Sequence, residues 1–150
     1  MTPTAVDTPV EQTEARRCGQ PAPTFETAHL IGALIESGKG ISDLIFSPGR
    51  PPQVERHGEL VPVPYAGVVE LQPEDTARVA RDLIGGDPQV LASLDADGAA
   101  DFSYQLPTGT RFRVNAFRQR GSYAIVMRVI ASRIPTIAEL RLPAVLADVA

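Results

Sequence analysis

Three arginines, Arg111, Arg113 and Arg128, stand at spacings that would gather them on one rigid surface. Arg111 and Arg113 are two residues apart, the period at which a β-strand returns a side chain to the same face. Arg128 falls inside the next apolar run, 124–130. A guanidinium carries a permanent charge and a planar fork of N–H donors that matches phosphate or carboxylate oxygens. Three of them on one sheet face would make an anion-binding surface. Scattered over ordinary strands, the same three would only keep a sheet soluble.

The elements that must position them span Thr110 to Ile130 and read as two strands joined by a short polar turn at Arg118 to Ser122. In the first strand Phe112, Val114 and Ala116 point one way, and Arg111, Arg113 and Asn115 the other. In the second, Ile125, Met127 and Val129 share a face and Arg128 lies opposite. Residues directly across an antiparallel ladder point to the same side. One register therefore collects the six apolar residues on a core face and puts Arg128 with Arg111 and Arg113. A one-residue slip would bury Arg128 unpaired against Phe112 and Val114, which is costly. The hairpin is expected to have an apolar inner face and a guanidinium-bearing outer one.

The remaining chain supplies strands at 42–47, 53–57, 60–63 and 100–106, beside those at 110–118 and 122–130. In the strand at 100–106, Phe102, Tyr104 and Leu106 alternate with Asp101, Ser103 and Gln105. Helices are expected over 25–37, capped by Thr24 and closed at Gly38-Lys39-Gly40, and over 73–94. Gln72-Pro73-Glu74-Asp75 opens the second helix, Gly85-Gly86 closes it, and Asp87-Pro88 starts a short third helix through about Leu94. Asp95, Asp97 and Gly98 read as a polar loop, since the twelve-residue calcium pattern is missing. The connection from Val63 to Gln72 carries no clear period. Residues 1–24 are rich in Thr, Pro, Glu and Ala and are expected to be a disordered tail. Arg16-Arg17 within it reads as a solvated pair.

The totals exclude several classes. At 150 residues the chain suits one domain with an added tail, and 43% hydrophobic residues can fill a core. A net charge of −4 argues against a general nucleic-acid binder, so the local basic cluster at 111–120 suits a compact anion better than a polymer. One cysteine, Cys18, allows no intrachain disulfide, and Cys18, His29 and His57 offer no zinc set. No apolar run approaches the roughly 20 residues of a membrane span, and the N-terminal residues lack the basic and apolar regions expected of a signal peptide.

Arg-Phe-Arg-Val-Asn-Ala-Phe at 111–117, Gln-Arg-Gly at 119–121 and Val-Met-Arg-Val-Ile at 126–130 together resemble the N-terminal domain of the type IV pilus twitching-motility (retraction) ATPases, the PilT-like family. Ser42-Asp43-Leu44, the Ser47-Pro48-Gly49-Arg50-Pro51-Pro52 turn and Asp101-Phe102-Ser103-Tyr104 extend the resemblance, which covers about residues 25–150. Ile45 and Glu55 depart from it, where relatives often carry histidine and arginine.

The resemblance implies an α+β fold, a PAS-like, mostly antiparallel sheet of five or six strands covered by helices, over 25–132. Residues 133–150, with short helices from Ile137 and after Pro143, would be the linker and the start of a RecA-like motor domain. It implies a hexameric ring in which nucleotide lies between the two domains, with Arg111, Arg113 and Arg128 as the phosphate candidates. Arg118 and Arg120, in the turn, would meet solvent or a neighbouring subunit. ATP and Mg would serve the full-length protein, with no cofactor and no metal in this region. The partners implied are the chain's own RecA-like domain, neighbouring subunits and the pilus machinery at the inner membrane of a bacterial cytoplasm. No Gly-x-x-x-x-Gly-Lys-Ser/Thr occurs, so this region alone is expected to lack ATPase activity. Two other classes stay open: a PAS-like ligand sensor, and an adaptor with no enzyme of its own.

Overall fold

A computed structural model describes residues 25–65 and 67–131. The expected tail, including Thr24, Cys18 and Arg16-Arg17, lies outside the described residues, as do the expected linker and helices of 132–150.

Six strands form one open antiparallel sheet: β1 (Ile41–Phe46), β2 (Gln53–Arg56), β3 (Glu59–Pro62), β4 (Ala99–Gln105), β5 (Arg111–Gln119) and β6 (Ser122–Ile130). Their order is β3-β2-β1-β6-β5-β4. Two meanders, β1 to β3 and β4 to β6, thus meet through the pairing of the first strand with the last. The expected α+β, PAS-like architecture holds.

Three helices, α1 (Thr27–Glu36), α2 (Pro73–Ile84) and α3 (Pro88–Ala96), pack with the inner face. α2 lies against β6, α1 against β1, and α3 against β4 and β5. The expected break within 73–94 falls where the glycines stand: Gly85 takes the left-handed conformation (φ 64°) and ends α2, while Asp87 caps α3 by accepting from the N–H groups of Gln89 and Val90. Asp75 accepts the Gln72 N–H at 2.9 Å and so satisfies a donor at the start of α2. Helix α1 begins at Thr27, later than the expected 25, and its N-cap Glu26 is extended with no side-chain cap. It closes on Ser37 in the right-handed conformation, and the left-handed residue comes later, at Gly40 (φ 76°). A Cβ on Gly40 would sit 2.6 Å from the His57 imidazole, so glycine there also serves a close approach.

The core unites Leu30, Ile31 and Leu34 of α1, Val79 and Leu83 of α2, and Leu44, Phe46, Phe112, Val114, Ile125 and Met127 of the sheet. The Val63–Gln72 connection is stitched to the turn after β1. Gly49 N–H donates to the Leu71 carbonyl, Leu71 N–H to Arg50, and Val63 N–H to Pro52, each at 2.8 Å, while the Leu71 side chain is fully buried.

Candidate functional site

The hairpin register is the expected one. Phe112 opposes Val129, Val114 opposes Met127 and Ala116 opposes Ile125. All of these are buried except Val129, which is half-buried. Arg113 lies directly opposite Arg128, and Arg111 opposite Ile130, so the three guanidiniums share the outer face. Among the described residues no helix covers that face. Each of the three arginines is exposed.

The face is not uniformly cationic, which the hairpin alone did not reveal. A straight row across the sheet reads Glu55, Asp43, Arg128, Arg113, Ser103. Like charges directly opposite on a ladder repel; Asp43 stands beside Arg128 in this row, and Asp101 approaches Arg113 from two residues along β4. Arg128 Nε donates to Asp43 Oδ1 at 2.9 Å. The Arg113 Nε stands 3.6 Å from Asp101 Oδ1, between two exposed side chains. Arg111 has no ion pair among the described residues. The hydrogen bond to Asp43, then its charge, holds the Arg128 guanidinium above its ordinary pKa, with Glu55 a smaller contributor.

Asp43 and Asp101 are therefore site residues that the sequence reading did not single out. Parity placed Asp101 on the outer face of its strand, but no local pattern announces that β1 lies beside β6.

The sequence is 32% identical over 126 residues to the type IV pilus ATPase PilU of Pseudomonas aeruginosa, covering 84% of this chain and 31% of PilU. It is 30% identical over 102 residues to the pilus retraction ATPase PilT of the same organism, covering 68% of this chain and 28% of PilT. The fold matches the crystal structure of the pilus retraction motor PilT with bound ADP at a TM-score of 0.71 and 30% identity, over 83% of this chain and 35% of that one. The chain is a homologue of the PilT-like pilus ATPases. It spans about a third of the length of the curated relatives it matches. No known family model matches the sequence.

Within this PilT-like domain the two expected turn arginines separate. The turn is only Arg120-Gly121, with φ of 52° and 79°, the doubly left-handed turn that joins twisted strands over two residues. Arg120 is exposed at its tip. Arg118 belongs to strand β5, on the helix side of the sheet. It donates to Asp95 Oδ1 at 3.1 Å and to the Tyr123 hydroxyl at 3.4 Å. Asp95 itself sits in the last turn of α3, not in the expected loop. Arg118 thus ties the hairpin to a helix of its own domain.

Proposed function

We propose that this PilT-like domain is the N-terminal domain of a hexameric pilus or secretion ATPase, and that its open sheet face meets nucleotide phosphates at a site shared with a RecA-like domain. The observation that carries this reading is the placement of Arg113 opposite Arg128 with Arg111 beside them. Phosphoryl transfer spreads negative charge over the equatorial oxygens, and preset guanidinium donors stabilise that charge without reorganising. Arginines used in this way are worth about 10³–10⁵ in rate in well-studied GTPases. In this reading the RecA-like domain supplies the phosphate-cradling loop and the Mg²⁺ ligands for ATP. The ring works in the cytoplasm against the pilus machinery at the inner membrane. In the same reading Arg120, exposed at the hairpin tip, contacts a neighbouring subunit.

The test is ATP turnover per assembled ring for Arg111→Ala, Arg113→Ala and Arg128→Ala in the longer ATPase, with melting temperature recorded alongside. Reduced turnover in rings that still assemble is expected, although one of the three can dominate. If all three hydrolyse ATP at the parent rate, the phosphate-facing reading fails. The domain alone should bind pyrophosphate only weakly, in the millimolar range, because half the site lies elsewhere.

A further inference from the structure

Among the described residues two carboxylates are buried, Asp75 and Asp43. Asp75 has a local task, since it accepts the Gln72 N–H at the start of α2 and pairs with Arg78 at 3.1 Å. Asp43 has none. Its side chain is 5% exposed, yet it bonds Arg128, 85 residues away in sequence and 72% exposed. A buried acid beneath a solvent-facing arginine demands another explanation than a surface ion pair, which would contribute little.

The atoms supply one. Asp43 engages Nε, the inner nitrogen of the guanidinium, and among the described residues no hydrogen bond joins an acid to the two terminal nitrogens. A contact at Nε from a fixed, buried oxygen restricts the guanidinium and leaves its terminal fork free. It also sets a negative charge beside the Arg113–Arg128 pair, which would otherwise repel across the ladder. The 3.6 Å contact of Arg113 with exposed Asp101 provides no such hold.

We propose that Asp43 is a positioning residue, holding Arg128 through Nε so that its terminal nitrogens, beside those of Arg113, form a preset seat for a phosphate-type dianion. This rests on the reading that the open face meets phosphate. Ordering the long side chain in advance removes an entropic cost from binding.

The test uses the 150-residue chain, inorganic pyrophosphate as the probe, and the arginine Nε–H resonances as the readout. In the parent, Arg128 Nε–H should exchange slowly with water, and pyrophosphate should shift both Arg113 and Arg128. Asp43→Asn removes a negative charge, which by itself would strengthen anion binding. About 1 M salt, where the screening length falls to ~3 Å, reduces that gain, though less than for an exposed carboxylate because Asp43 is buried, so a loss of binding seen there reports the orientation effect. There Asp43→Asn should bind pyrophosphate about threefold or more weakly, within the range of coupling between contacting residues. The loss should vanish in an Arg128→Ala background. If Asp43→Asn fails to fold, Asp43→Glu keeps the charge but moves the carboxylate by one methylene away from the Arg128 Nε, and the same weakening is expected. Unchanged binding at high salt, or a pyrophosphate shift at Arg111 and Arg113 alone, overturns the role of Asp43 and leaves the phosphate-facing reading intact. No shift at any of the three arginines overturns both.

Discussion

On the helix side of the sheet Phe112, Val114, Ile125 and Met127 are fully buried and belong to one apolar cluster, while on the open side Glu55, Asp43, Arg128 and Arg113 lie in a single charged row. The same strands build both, because alternate residues point to opposite faces. The helix side is held by non-directional burial, so its stability depends on volume and is lost where a cavity opens. The open side is held by charge pairing, whose effect depends on which partner is buried. Asp43 is buried and Arg128 is not. Removing the exposed partner strands a buried carboxylate, whereas removing the buried one leaves an arginine that water can solvate.

Substitutions on the two faces should differ in size and kind. Phe112→Ala deletes a fully buried aromatic and should cost about 3–5 kcal/mol in denaturant unfolding. A loss under 1 kcal/mol would mean that the helix-side packing is looser than the burial indicates. Arg128→Ala should lower the melting temperature by several degrees, because it leaves Asp43 without its partner. In an Asp43→Asn background the same change should add almost nothing. Equal effects in the two backgrounds would break the proposed asymmetry. Arg113→Ala should change stability by less than about 0.5 kcal/mol, since its contact with Asp101 is long and solvated. A larger loss would place Arg113 among the structural residues with Arg128.

Much of this was legible in the residues. The alternation in 111–117 and 124–130, and the cost of burying Arg128, led to the observed register. Phe102 and Tyr104 fall on the expected side of β4, opposite Val114 and Phe112. The hairpin turn is narrower than the expected 118–122, because the polar run Arg118-Gln119-Arg120 resembles a loop until its strand partners Tyr123 and Ser122 are known. Arg118 stays in the strand because Asp95 and Tyr123 receive it there. The connection at 63–72 showed no period, because contacts with residues 49–52 order it in place of a helix or strand.

Alternation alone was enough to give the apolar face of the strands at 100–106, 110–118 and 122–130, and to put Arg111, Arg113 and Arg128 on the other. Both follow from a two-residue period acting over a short hairpin. Which strand lies beside β6 came from the folded domain, and with it that Arg128 is held by Asp43 while Arg111 has no acid partner among the described residues. Periodicity fixes the direction of a side chain but not its neighbour across the sheet. The pairing of β1 with β6 joins residues 85 apart, and it forms only when the helices and both meanders bury one common core.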